Sequence, residues 1–127
     1  MMMIDTDIVI WILRKKPDIK AQFDHVVIDT AGEIYVTPIQ VAEIYAGIRD
    51  TERFETAAFF RALHHLHLDE AIGQQAGEFL RQYQKSPNIT LADAMIAAAA
   101  VARHFTLWTL NKKHYPMLSP AQFFPHA

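Results

Sequence analysis

Apolar residues come in short blocks separated by polar breaks, and the spacing within the blocks alternates between strand-like and helix-like. Residues 1–4 (MMMI) form a continuous apolar run that ends on Asp5, the pattern of a short buried strand. Residues 8–13 (IVIWIL) are ambiguous: their β-branched content favours a strand, their length and position a helix. Pro17 opens a helix that passes through Phe23 and Val27, and residues 33–36 read as a second strand. Thr37-Pro38-Ile39-Gln40 carries a helix start, with Thr37 as N-cap, Pro38 at the first helical position and Gln40 completing a capping box. That helix is expected to reach about Arg49. Residues 51–63 predict another helix, and residues 65–68 a short strand. A further helix runs from about Glu70 to Gln84, and the chain breaks at Pro87 and Asn88. Residues 90–103 are apolar almost all round, which predicts a buried helix. Residues 105–110 follow as a strand of β-branched and aromatic side chains, with Asn111 at its end.

Strands alternating with helices predict a parallel sheet covered on both faces, an α/β sandwich. The 127 residues suit one domain with a real core and are too few for two comfortable ones, so the reading is a single domain over 1–127. In such folds ligands bind outside the carboxyl ends of the strands, where Asp5 and Asn111 both fall.

Composition narrows the chemistry. Half the residues are apolar (51%) and a fifth are charged (20%), a globular balance; with no cysteine, disulfides, zinc–thiolate sites and thiol nucleophiles are excluded. The first apolar run is interrupted by Asp5 and Asp7 and lacks the basic start of a signal peptide. The longest apolar run, around residues 94–102, is far short of the roughly 20 residues of a membrane span. A cytoplasmic chain with no membrane partner is the expectation. The net charge of −2 and pI of about 6.4 lack the global footprint of a dedicated nucleic-acid binder. Local basic clusters remain at Arg14-Lys15-Lys16, at Arg49 with Arg53, and at Lys112-Lys113-His114, where an acidic site that handles phosphate would find backbone contacts.

The candidate chemistry lies in carboxylates set in apolar stretches: Asp5 in MMMIDTDIVIWIL, Glu43 in TPIQVAEIYAGI and Asp93 in TLADAMIAAAAVA. Burying a carboxylate is costly unless a hydrogen bond, an opposite charge or a metal ion compensates it. An oxygen-donor site for Mg²⁺ or Mn²⁺ needs such a set drawn from distant parts of a small domain. Each also has a plainer role. Asp5 and Asp7 can form a turn or cap a helix. Asp93 can reach back to Thr90 and meet the positive end of a helix dipole. Glu43 shares a helix face with Gln40 and Gly47 that can simply be wet. Gly47 within a helix costs about 1 kcal/mol relative to alanine, which hints at a close approach over that face. His64, His65 and His67 lack a further ligand at a zinc spacing and read as strand-end histidines.

In order and context these residues resemble the PIN domain, and within it the VapC-type toxins of toxin–antitoxin modules. The family's opening apolar strand and Asp-Thr-Asn/Asp are matched by Ile4-Asp5-Thr6-Asp7. Its second acid, on a helix after a strand and a Ser/Thr with Gly four residues later, is matched from Thr37 through Glu43 to Gly47. Its third acid opens an Ala-rich helix, here Leu91-Ala92-Asp93-Ala94-Met95-Ile96-Ala97-Ala98. Its last strand ends in Thr-x-Asn and a loop with His/Asp-Phe, here Thr109-Leu110-Asn111-Lys112-Lys113-His114-Tyr115. One departure stands out. Many PIN domains carry a fourth acid in that loop, and this chain has no Asp or Glu after Asp93.

The resemblance implies a three-layer α/β/α sandwich with a short, mainly parallel sheet. It also implies a metal-dependent endoribonuclease in which Asp5, Glu43 and Asp93 hold Mg²⁺ or Mn²⁺, with Asn111 as a fourth catalytic group. Thr6, Asp7 and Thr109 would orient those ligands, and Arg14, Lys112, Lys113 and His114 would contact RNA phosphates. The implied partners are an RNA substrate, a second copy of the chain and a cognate antitoxin, with DNA reached only through the antitoxin. Two other readings stay open: a PIN-like binding module that has lost catalysis, and a haloacid-dehalogenase-like phosphatase. The last is suggested by Met3-Ile4-Asp5-Thr6-Asp7-Ile8-Val9, but no downstream acid pair follows Asp93.

Overall fold

The structure, a computed structural model, describes residues 1–86 and 88–125. In chain order these form β1 (Met2–Ile4), α1 (Thr6–Leu13), α2 (Pro17–Asp29), β2 (Ile34–Val36), α3 (Pro38–Gly47), α4 (Arg53–Arg61), β3 (His64–His65), α5 (Glu70–Gln82), α6 (Leu91–Arg103) and β4 (Thr106–Trp108). The strands make one sheet in the order β3-β2-β1-β4, and every pairing is parallel.

Period-two alternation along the strands sorts the core into two layers. Met2, Ile4, Ile34, Val36 and Trp108 face one side, where they pack with Ile8, Val9 and Ile12 of α1, Ile19 and Val26 of α2, Ile44 of α3 and Phe60 of α4. Met3 and Leu107 face the other side, against Ile72, Ala76 and Phe79 of α5 and the alanine-rich body of α6. This is the expected α/β sandwich with a short parallel sheet. The apolar, unalternating look of MMI in β1 follows from burial on both faces.

The ambiguous block 8–13 is helical. Asp5 caps it by accepting from the Thr6 backbone N–H, and its buried residues Ile8, Val9 and Ile12 recur at helical spacing. The helix expected over 51–63 is instead a 3₁₀ turn, Asp50–Glu52, followed by α4. The strand expected over 65–68 is shifted to His64–His65, because its partners Tyr35 and Val36 on β2 set the pairing. Pro87 lies outside the described residues; Asn88 is in a turn. The close approach expected over Gly47 is not present. The residue ends α3, and a Cβ built there meets nothing within 4 Å. No described helix is long and apolar enough to cross a membrane.

Three helix starts aim at one end of the sheet. The chain leaves β1 into α1 at Asp5 and leaves β2 into α3 at Thr37, whose capping box with Gln40 forms as expected. Gln40 is fully buried, and its Nε2 donates to the Ile4 carbonyl at 3.0 Å, which fixes the start of α3 against the end of β1. The Thr90–Asp93 capping box opens α6, which runs back along the sheet to β4.

Candidate metal centre

Asp5, 8% exposed, leaves β1 with its backbone N–H bonded to the Trp108 carbonyl on β4 at 2.9 Å. Its Oδ1 accepts from the Thr6 N–H at 2.8 Å. Its Oδ2 accepts from Thr109 Oγ1 at 2.8 Å and from the Tyr115 hydroxyl at 2.9 Å, and both donors are almost fully buried. Burial still outweighs these donors and raises the carboxyl's proton affinity, with the charge of Asp93 adding to the rise.

Glu43 lies exposed on α3, one turn beyond Gln40, and its Oε1 accepts from Thr6 Oγ1 at 2.6 Å. Thr6 therefore links the first acid to the second: its backbone N–H serves Asp5 and its hydroxyl serves Glu43. Asp93 fills the third position of α6, where its side chain accepts from the Thr90 N–H at 3.2 Å. His114 Nδ1 stands 3.7 Å from Asp93 Oδ2, so the imidazole lies beside the third acid rather than facing solvent alone.

Asp7 and Asn111 serve each other. Asp7 Oδ2 accepts from the Leu110 N–H at 2.9 Å and from Asn111 Nδ2 at 3.0 Å. Thr109 Oγ1 is 3.4 Å from the same oxygen, but its single proton points to Asp5 at 2.8 Å while it accepts from the Asn111 N–H at 3.0 Å. Asp7 Oδ1 is buried without a hydrogen-bond partner among the described residues. Burial, then the charge of Asp5, push the Asp7 pKa up to about 6. Tyr115 is raised as well, by burial and then by the charges of Asp5 and Asp93, so its hydroxyl stays a donor.

The basic residues divide. Arg14 lines a cavity of about 110 Å³ together with Glu43. Lys112, Lys113 and His114 form a 3₁₀ turn directly after Asn111, and the Lys112 ammonium lies 5.4 Å from the Phe123 ring centre. Lys16 pairs with Asp18 at 3.6 Å and Arg53 with Asp50 at 3.1 Å, leaving those cations less available for phosphate. The histidines of β3 lie apart, His65 Nε2 bonded to the Phe60 carbonyl at 2.7 Å and His64 stacked on Tyr35.

The donor chemistry fits a hard divalent cation. Asp5, Glu43 and Asp93 offer carboxylate oxygens only, and among the described residues no lysine or arginine pairs with any of them. The charge of Asp93 adds to the raised proton affinity of Asp5, and the charge of Asp5 to that of Asp7, and a cation there would relieve both. The side chains as they stand are not drawn into a ligand shell: among the described residues no group of three or more His, Cys, Asp or Glu is close enough to hold an ion. Sequence reasoning missed Tyr115 and the Thr6–Glu43 link. A buried tyrosine needs a partner for its hydroxyl, which is the one signal that pointed to the former.

A family model for the PIN domain matches residues 2–116. Ribonuclease VapC10 of Mycobacterium tuberculosis is 33% identical over 119 residues, spanning 92% of this chain and 87% of the relative. Among solved structures, a toxin–antitoxin complex from Klebsiella pneumoniae superimposes with a TM-score of 0.80 at 17% identity, covering 98% of this chain and 97% of its counterpart. VapBC2 from Rickettsia felis, bound to a DNA fragment from its promoter, gives a TM-score of 0.71 at 22% identity over 91% of this chain and 93% of its own.

Proposed function

The chain belongs to the PIN domain family, and from that premise we propose that it is a VapC-type toxin, a metal-dependent endoribonuclease silenced by a cognate antitoxin. The observation that carries this reading is the Asp5–Thr6–Glu43 link beside Asp93, an all-carboxylate group at the carboxyl end of a parallel sheet with which, among the described residues, no Lys or Arg side chain pairs. The relative named a ribonuclease supports RNA as the substrate. The toxin–antitoxin assembly named for one solved structure supports an antitoxin as partner, and the DNA-bound VapBC2 supports a DNA contact of the complex, which in this reading runs through the antitoxin. Phe54 and Ile28, 80% and 76% exposed, are apolar surface available to that antitoxin or to the second copy of a homodimer. In this reading the protein works in the cytoplasm.

Hydrolysis of an RNA phosphodiester joins a water oxygen to phosphorus and releases a ribose oxygen, with negative charge building on the phosphoryl group. Asp5, Glu43 and Asp93 would hold Mg²⁺ or Mn²⁺. A bound divalent ion there supplies a lowered water pKa and offsets that charge. The chain's own residues supply placement. Thr6 and Thr109 hold Glu43 and Asp5 by hydroxyl hydrogen bonds at 2.6 and 2.8 Å. Asn111 holds Asp7, which ties the loop after β4 to the start of α1. Arg14, which lines a cavity with Glu43, and Lys112 and Lys113 in the turn after Asn111 would bind backbone phosphates, and His114 flanks Asp93.

A second reading, a PIN-like module that binds RNA or a partner without cutting, is favoured by the missing fourth acid and by the absence of a closed ligand group among the described residues. Incubating the purified chain with RNA in Mg²⁺ or Mn²⁺, and again in EDTA, separates the two. Cleavage that EDTA stops supports the nuclease; no cleavage with either ion leaves the binding module.

A further inference from the structure

The carboxyl group of Asp5 receives more hydrogen bonds than capping a helix requires. The cap itself uses Oδ1, which accepts from the Thr6 N–H at 2.8 Å. Oδ2 takes two further donors, Thr109 Oγ1 at 2.8 Å and the Tyr115 hydroxyl at 2.9 Å. A carboxylate oxygen has two lone-pair sites. Both of those on Oδ2 are engaged, whereas among the described residues Oδ1 takes a single donor.

Tyr115 is 1% exposed, and its ring belongs to the core layer beneath α5 and α6. A phenylalanine would fill that layer equally well. What tyrosine adds is a hydroxyl delivered to one oxygen of one buried acid, from a residue 110 positions away in the chain. Turning the Asp5 carboxylate about its Cβ–Cγ bond would break both bonds to Oδ2 at once.

We propose that Tyr115 is a positioning residue of the divalent-ion site: together with Thr109 it pins Oδ2 of Asp5, so that Oδ1 is the oxygen of this carboxylate that can coordinate an ion. The proposal rests on the reading of Asp5 as a metal ligand. It assigns Tyr115 a role in ion binding that packing alone does not require, and its loss is felt through Asp5.

The test compares the full-length chain with Tyr115→Phe, and with Thr109→Val as a second way to remove one donor. Three readouts are taken: Mn²⁺ affinity by calorimetry, the tyrosine ultraviolet difference spectrum on adding Mn²⁺, and thermal unfolding in EDTA. The expected result is an Mn²⁺ affinity about tenfold weaker in Tyr115→Phe, the range seen when a ligand-orienting hydrogen bond is removed. The wild-type difference spectrum should shrink in the same variant, and Thr109→Val should weaken Mn²⁺ binding in the same direction. Wild-type Mn²⁺ affinity and an unchanged spectrum in Tyr115→Phe, with only its unfolding temperature lowered, would make the residue purely structural and overturn the proposal alone. A wild-type chain that binds no Mn²⁺ at all would overturn the metal reading and the proposal with it.

Discussion

Replacing Asp7 by asparagine should stabilise the metal-free protein at neutral pH and leave it nearly unchanged in acid. The Asp7 carboxyl is half-buried, its Oδ1 has no hydrogen-bond partner among the described residues, and burial with the charge of Asp5 lifts its pKa from 3.8 to about 6. A group whose folded pKa is raised binds its proton more tightly in the native state. Its stabilising contribution is therefore complete below pH 3.8, the unfolded value, and is lost as pH rises through about 6. A shift of about two units corresponds to about 3 kcal/mol, which partial solvent access to the group reduces to about 2 kcal/mol. Asparagine keeps an oxygen for the Leu110 N–H and Asn111 Nδ2 and removes the charge. In EDTA at pH 7.5 the variant should gain 1–2 kcal/mol, about 4–8 °C in Tm at roughly 4 °C per kcal/mol, and the gain should vanish near pH 4. Thermal or urea unfolding across that pH range is the assay. An equal stability change at pH 4 and pH 7.5, of either sign, would refute the argument that ionisation of Asp7 is costly in the fold.

Three further outcomes follow from the geometry. Thr6→Val removes the hydroxyl that holds Glu43 at 2.6 Å; RNA cleavage should fall by about tenfold while urea unfolding changes by less than about 1 kcal/mol. Gln40→Ala leaves a buried hole and frees the Ile4 carbonyl and the Thr37 N–H, so denaturant unfolding should show a loss of about 3 kcal/mol. Replacing Lys112 and Lys113 together by alanine should raise KM for RNA with little change in kcat. It should also flatten the logarithmic dependence of binding on salt by about 0.7 for each phosphate no longer neutralised.

Much of this arrangement was legible in local pattern. The MMMI run ending on Asp5, the Thr37–Gln40 box and the Thr90–Asp93 box each mark an element and its start within four residues, and all three appear where expected. The alanine-rich body of α6 reads as buried because five of its alanines are, against α5 and the sheet. Elements fixed by distant partners were harder. Ile8, Val9 and Ile10 have strand-like side chains, and only burial of one helical face against the sheet, with Asp5 as cap, decides for a helix. β3 is two residues long, and its limits depend on Tyr35 and Val36 of β2, with α3 and α4 lying between them in the chain. The same holds at the acids. Their positions follow from helix starts, whereas the Tyr115–Asp5 and Thr6–Glu43 bonds join residues 110 and 37 apart, which no local spacing encodes.

The most direct test of a shared divalent-ion site is anomalous diffraction at the manganese edge from crystals grown with Mn²⁺. The account predicts a peak bonded to carboxylate oxygens of Asp5, Glu43 and Asp93, absent from an Asp5→Asn crystal. RNA cleavage that persists while no peak forms among these three residues would contradict it.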